Sequence, residues 1–389
     1  MLKTIASERI PIKLWLDDIE AEALQQARNL ANLPFAFHHV AIMPDAHFGY
    51  GMPIGGVLAT ENMVIPNAVG VDIGCGMAAV RTSLCGIDRH SLKHVMGSIR
   101  ATIPVGFKHH KRPLPHETMP VPPEPRHLSI VEEEYDRARA QIGTLGGGNH
   151  FIEIQRGSDG AIWFMIHSGS RNLGFKVAHH YNKQAAAMNK RLTSPLPSSW
   201  QLAALPLDSE EGRRYLAEME YCVAFAAANR DVMRLRVAEA LVERLGGDIE
   251  FAAPINIAHN YASRETHFGT PVIVHRKGAT RAESGELGII PGSQGTASYI
   301  VRGKGNAESF ASCSHGAGRR MGRKQAQRSL NLDKEKRRLD ELGIIHALRT
   351  KHDLDEASGA YKDIDTVIAR QKDLIEVVEV LRPLAVIKG

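Results

Sequence analysis

The sequence predicts an α+β fold, and three observations carry that prediction. Short apolar runs cut by Gly and Pro fill residues 35–88 and return over 251–303, as half-buried or buried strands do. Helical spacing dominates one long stretch, from about Ser209 to Leu245. Strand and helix patterns do not alternate regularly enough for a doubly wound parallel sheet. No linker divides the residues singled out below, which scatter from 45 to 388, so one compact domain over residues 1–389, built from non-local strands, is expected.

In chain order, "DDIEAEALQQARNLANL" (Asp17 to Leu33) has helical spacing with acidic residues in its first turn. "HHVAIMP", "GGVLAT" and "MVIPNAVGVDIGCGMAAVRT" read as strands interrupted by turns. Residues 104–127 begin with "PVGFKHHKRPLPHETMPVPPEP", whose seven prolines predict an extended surface excursion. His109, His110 and His116 lie there and read as solvated loop histidines. Strands resume at "NHFIEI" and "IWFMIHSG", before the long helix. Two further helical segments are expected near 317–341 and 363–382, ahead of a short terminal "AVIKG".

Composition excludes several classes. With 389 residues, 43% of them hydrophobic, and no low-complexity block, the chain should bury a substantial core and not be disordered. No apolar run approaches the ~18 residues of a membrane helix. "MLKTIASERIPIKLW" lacks the apolar region and cleavage site of a secretory signal, so a cytoplasmic protein is expected. The four cysteines (Cys75, Cys85, Cys222, Cys313) are widely spaced, which suits a reducing compartment and leaves thiols free for a metal or for catalysis. A net charge of +5 is only a faint hint of a polyanionic partner.

The chemistry is concentrated in a few short stretches. "GVDIGCGM" (70–77) sets Asp72 three positions before Cys75 among glycines that let the backbone fold closely round an ion. Alone, this is also how a buried small cysteine beside a turn aspartate would look. His150 in "GTLGGGNHFIE", His167 in "IWFMIHSGSRNLG" and His259 in "INIAHNY" each stand at a strand end beside Gly, Ser or Asn. Thiolate, carboxylate and imidazoles form a mixed donor set for zinc or another first-row divalent ion. These five donors exceed the needs of one tetrahedral ion. A shared thiolate could bridge two ions roughly 3.5–4 Å apart, as in two-metal phosphoryl-transfer sites.

Four Gly/Ser/Asn turns, "GGGNH", "HSGSRNLG", "PGSQGTAS" and "GKGN", are suited to anions, with Arg171 and Arg302 beside them. None is a Walker loop or a dinucleotide-binding fingerprint. In "SCSHGAGRRMGRK" (312–324), His315 sits in a glycine turn just before an expected helix, whose N-terminus would favour an anion. Histidine can attack phosphorus as a nucleophile. The basic run from Arg319 through Arg338 fits an RNA-facing surface, although a solvated helix exterior looks much the same.

"MPDAHFGYGMPIGG", "VGVDIGCGM", "GTLGGGNHFIE", "HSGSRNLG", "AHNY", "HRKGAT", "IIPGSQGTASYIV", "SHGAGR", "AYKDID" and the final "KG" together resemble the RtcB family of RNA ligases, in family order from about residue 12 onward. The resemblance implies a central mixed β-sheet or sandwich core flanked by helices. It implies that Asp72, Cys75, His150, His167 and His259 hold two Mn²⁺ ions, with Cys75 as bridge. It implies that His315 attacks the GTP α-phosphate and carries GMP covalently, with Asp45 as a nearby carboxylate. Asn149, Glu153, Arg171, Ser293, Ser298, Tyr361 and Lys388 then contact the guanine nucleotide. The implied reaction joins an RNA 3′-phosphate or 2′,3′-cyclic phosphate end to a 5′-hydroxyl, in RNA repair or tRNA splicing, with an accessory activating protein as a possible partner and no membrane involved. Gly322 and Ala258 depart from residues more usual in the family. Two other functions are compatible with parts of the pattern: a two-metal phosphohydrolase or cyclic phosphodiesterase acting on RNA ends, and a non-enzymatic RNA-end binding protein.

Overall fold

The computed structural model describes residues 1–122 and 127–389. Two sheets frame it. One has six strands in the order Lys3–Ile5, Ile12–Leu14, Ala36–His47, Ile54–Thr60, Thr270–Lys277, Asn260–His267. Its pairings are antiparallel except that of Ile12–Leu14 with Ala36–His47. The other has seven strands, Ile255–Ala258, Gly76–Arg81, Ile162–Ser168, Phe151–Gly157, Ile375–Lys388, Ser298–Gly303 and Leu287–Ile290, all antiparallel. The expected mixed character therefore belongs to the first sheet alone.

Side chains alternate across each strand, so a strand covered on both sides feeds two cores. In Ala36–His47, Ala41 and Met43 join a cluster between the sheets, while Val40 and Ile42 join the one under helix Ala21–Ala31. In Gly76–Arg81, Ala78 and Val80 pack toward helices Arg89–Thr102 and Glu210–Leu245, and Met77 and Ala79 the other way. Val57 and Val274 of the six-stranded sheet, with Trp15 just past its strand Ile12–Leu14, meet Ile290, Val301 and Ile375 of the seven-stranded one, which makes the core a sandwich.

The long helix runs Glu210–Leu245; the Ser209 side chain accepts from Gly212 N–H and Gly246 ends it at φ 68. Such a cap is worth about 1 kcal/mol. The first predicted helix is shorter than its pattern, Ala21–Ala31. Three helices, Arg89–Thr102, Ser129–Gln141 and Arg171–Asn189, had not been read from the sequence.

Two expectations need correction. Residues 317–322 are not helical; separate helices Arg323–Ser329 and Leu332–Glu341 follow, the second capped by Asn331. The helix expected over 363–382 is only Ile364–Ala369, and Ile375–Lys388 is a strand of 14 residues. Its β-branched "IEVVEV" start suits a strand, and hydrogen bonding to neighbours on both sides decides it. In the predicted excursion Phe107 is fully exposed, while His110 and Leu114 donate backbone N–H groups to Ala140 and Arg139 carbonyls. Its residues 123–126 lie outside the described residues.

Strand register gathers the distant motifs. Phe151 and Met77 both pair with His167, Phe151 pairs with Lys388, and Ala258 pairs with Gly76. Cys75, His150, His167, His259 and Lys388 thus converge at one end of the seven-stranded sheet.

Candidate active site

The turn before strand Gly76–Arg81 is shaped by its neighbours. Helix Pro66–Val69 stops at Gly70 (φ 95), and Gly74 (φ 72) packs so tightly on the long helix that a Cβ there would come within 2.8 Å of Val223 Cα. Cys75 N–H donates to the Asp72 carbonyl at 3.1 Å and closes the turn, and the thiol is 3% exposed. Gly169 faces the Asp72 carboxylate so closely that any side chain would overlap it.

Two groups of potential donors result. The side-chain atoms of Cys75, His167 and His259 lie within 4.8 Å of one another, as do those of Asp72, Cys75 and His150. Cys75 belongs to both. Its Sγ is 3.4 Å from His150 Nε2 and 3.3 Å from His167 Nε2, and His150 Nε2 is 3.1 Å from Asp72 Oδ2. His167 Nδ1 lies 3.1 Å from the Asn149 carbonyl, to which it donates, leaving Nε2 with its lone pair toward the thiol. Arg171 Nη1 donates to His150 Nδ1 at 3.1 Å.

Electrostatics suit cations. Burial holds His167 and His259 well below the ordinary imidazole range, so both are neutral donors. Burial would raise Asp72, yet hydrogen bonding and charge from His150, with Arg171 beyond, bring it to about 2. Burial and the Asp72 charge push the Cys75 thiol up, so forming a thiolate here calls for a directly bound cation. Among the described residues His259 Nδ1 has no hydrogen-bond partner although it is buried, a cost that a bound cation would remove. These residues fit a divalent-metal site.

The second group centres on His315, which follows strand Ser312–Ser314. Asp45, fully buried in strand Ala36–His47, accepts through Oδ2 from His315 Nδ1 (2.6 Å), His315 N–H (3.1 Å) and Gly316 N–H (3.3 Å). A carboxylate can only accept, so Nδ1 carries the proton and Nε2 keeps its lone pair. Gly318 (φ 72) packs on the Asp45 carbonyl where no Cβ fits. The His315 ring stands 4.8 Å, centroid to centroid, from His259, itself 5.2 Å from His167. The expected helix N-terminus is absent here, because the next helix begins only at Arg323.

His315 and His167 open into a cavity of about 630 Å³. Of the residues expected at a nucleotide, Asn149, Glu153, Ser293, Tyr361 and Lys388 line it. Arg171 and Ser298 do not. Arg171 stands behind His150, and Ser298 Oγ, 2% exposed, accepts from Gly292 N–H and Gln155 Nε2 to hold the turn under Ser293. Burial raises Glu153 to about 7, against the pull of Lys388 and a 2.7 Å hydrogen bond from Gln155.

Sequence reading passed over Glu356, which organises one wall. Tyr361 OH donates to it, Arg319 Nη1 donates to it at 3.1 Å, and Arg323 and Lys388 pair with it at 3.6 and 3.5 Å. Arg319 also lies 5.0 Å over the Tyr361 ring. The only cue was its closeness to the "AYKDID" stretch. Of the four anion-suited turns, three meet at this end of the sheet; "GKGN" instead ties Lys304 N–H to Leu374 and Asn306 Nδ2 to Asp373. Among the described residues no helix is long and apolar enough to cross a membrane.

Comparison with known proteins agrees with this geometry. The family model described as tRNA-splicing ligase RtcB matches residues 26–389. The chain is 38% identical to the RNA-splicing ligase RtcB of Escherichia coli K12 over 99% of each chain. It is 32% identical to the tRNA-splicing ligase RtcB of Thermococcus kodakarensis, over 98% of this chain and 95% of that one. With its motifs in family order and meeting at one cavity, this chain belongs to the RtcB family of RNA ligases.

Proposed function

We propose that this ligase joins an RNA 3′-phosphate or 2′,3′-cyclic phosphate end to a 5′-hydroxyl end, with GTP as co-substrate and a GMP adduct on His315. The observation that carries the reading is the His315–Asp45 pair: a histidine whose Nδ1 is held by a buried carboxylate and whose ring stands beside His259 at the cavity. Two Mn²⁺ ions held by Asp72, Cys75, His150, His167 and His259 would polarise phosphoryl oxygens.

The chain's own residues do the rest. His315 Nε2 attacks the GTP α-phosphorus; an N–P bond forms, the α–β P–O bond breaks and pyrophosphate leaves. Asp45 stabilises the positive ring through Nδ1–H, as a carboxylate behind a catalytic histidine does. An oxygen of the RNA 3′-phosphate then attacks the GMP phosphorus, the N–P bond breaks and His315 is restored. The 5′-hydroxyl oxygen finally attacks the RNA 3′-phosphorus, losing its proton as GMP departs. A cyclic end is first opened by water to the 3′-phosphate. Activation is needed because a phosphate monoester lacks a good leaving group. Glu153 would accept from the guanine base, with Tyr361 and Lys388 against it, while Asn149 and Ser293 would donate to the phosphates; Arg171 and Ser298 act from behind the cavity wall. The exposed basic faces of helices Arg323–Ser329 and Leu332–Glu341 offer the RNA backbone a surface.

The test is incubation with α-labelled GTP and Mn²⁺ followed by denaturing electrophoresis. Label that stays on the protein, survives alkali, is released by acid and is lost in His315→Ala supports the reading. No label with His315 intact, together with phosphate release from RNA ends, replaces it with the hydrolase.

A further inference from the structure

The donors come from four separated parts of the chain, and their spacing must be held by something other than the donors. Midway along helix Glu210–Leu245, Asn229 and Arg230 are 0% and 1% exposed. Arg230 Nη1 donates to the Gly74 and Ser168 carbonyls, both at 2.9 Å, and Nε donates to Asn256 Oδ1 at 2.8 Å. Gly74 lies between Asp72 and Cys75, Ser168 follows His167, and Asn256 stands three residues before His259. One guanidinium therefore ties together three of the donor-bearing segments.

Asn229 reaches the fourth. Its Oδ1 accepts from Gly143 and Thr144 N–H at 2.7 and 3.1 Å, at the start of the loop that leads to His150. Its Nδ2 donates to Ser168 Oγ (3.1 Å) and to the carbonyl of Gly169 (3.0 Å), the residue against which the Asp72 carboxylate rests. The Gly74 and Ser168 carbonyls that Arg230 occupies are turned toward the helix, which leaves side chains to face the centre. A planar fork of donors can serve three acceptors at once; a lysine's single nitrogen cannot span them.

We propose that Arg230, supported by Asn229, is the positioning residue of the metal centre: it sets the distance between the Asp72–Cys75 turn, His167 and His259 that allows two cations to share one thiolate. The inference rests on the metal reading of those donors. It is tested on the full chain with Co²⁺, whose near-ultraviolet thiolate-to-cobalt absorption reports ligation by cysteine. Arg230→Met should lose at least tenfold in Co²⁺ affinity and alter that band. Arg230→Lys, which keeps the charge but not the span, should weaken binding as well. Asn256→Ala, which removes one anchor and leaves the guanidinium, should weaken it less. Melting followed by far-ultraviolet circular dichroism without metal separates the alternatives: folded Arg230 variants with lower Tm but wild-type Co²⁺ affinity and spectrum would overturn the proposal. If Arg230→Met does not fold, unchanged spectra and affinities in Arg230→Lys and Asn256→Ala overturn it equally. A wild-type chain that takes up no Co²⁺ would instead remove the metal reading, and this inference with it.

Discussion

Replacing Asp45 with asparagine should slow guanylylation by about 10- to 150-fold and leave GTP affinity nearly unchanged. Oδ2 of Asp45 serves three donors, the His315 ring Nδ1 at 2.6 Å and two backbone N–H groups at 3.1 and 3.3 Å. Its Oδ1 is buried with no partner among the described residues. An asparagine has two ways to sit there, and both cost. With its oxygen in the Oδ2 position, its NH₂ is buried unpaired. With its NH₂ there, the backbone donors lose their acceptor and Nδ1 must accept, which sends the ring proton to Nε2 and removes the attacking lone pair. Either way the negative charge opposite the developing imidazolium is gone. A charge-assisted hydrogen bond contributes about 1.5–3 kcal/mol, and each ~1.4 kcal/mol is tenfold in rate, so the loss is about 10- to 150-fold. Asp45 does not line the cavity, so nucleotide binding should hold. Single-turnover label transfer from α-labelled GTP, alongside equilibrium GTP binding, measures both. A variant that guanylylates within threefold of wild type would refute the role given to Asp45.

The other predictions concern the proposed cations and the proposed guanine contacts. Cys75→Ala should abolish binding at both donor groups, whereas Asp72→Ala, which leaves Cys75, His167 and His259 intact, should lower bound Mn²⁺ from two ions to one by elemental analysis. Equal stoichiometry in the two variants would contradict a shared thiolate. Gly169→Ala should displace the Asp72 carboxylate and mimic Asp72→Ala in metal content, with melting shifted by only a few degrees. For Glu153, burial raises the carboxyl from 4.5 to about 7, so ionising it destabilises the fold increasingly as pH climbs from 4.5 to 7 and at full value above that. Glu153→Gln should therefore stabilise the nucleotide-free chain at pH 8 by roughly 3 kcal/mol, with little effect at pH 4.5, in melts across that range. The same variant should bind GTP more weakly at pH 8, since a carboxylate accepts two hydrogen bonds that an amide cannot match.

Some of this was legible because local chemistry is written in adjacent residues. The glycines around Asp72 and Cys75 signalled a turn that must come close to something, and the turn does pack on the long helix. Ser209 and Gly246 bracket a helix that the apolar spacing had already placed. Other features were not legible, because they depend on partners far away in the chain. Residues 375–388 become a strand through one neighbour some 72–83 residues back and another more than 200 back, against a spacing that read as helix up to 382. His315 sits in a turn bonded to Asp45, not at a helix N-terminus. Glu356 had no cue beyond its closeness to "AYKDID", since its importance comes from Arg319, Tyr361 and Lys388 meeting it across the cavity.

By itself the sequence determined the kinds of groups available: a thiol, a carboxylate and imidazoles on glycine-rich strand ends, a histidine in a glycine turn, and the family that these motifs in order identify. Chain-local geometry requires no more than neighbouring residues to settle such things. Only the tertiary structure decided which of those groups meet. It put Cys75 between two sets of donors, turned Nδ1 of His315 onto Asp45, set Arg171 and Ser298 behind the cavity instead of in it, and aimed Arg230 at the turns that carry the donors. The reason is strand register: pairing Phe151 with both His167 and Lys388, and Gly76 with Ala258, fixes distances of a few ångströms between residues that no sequence spacing relates.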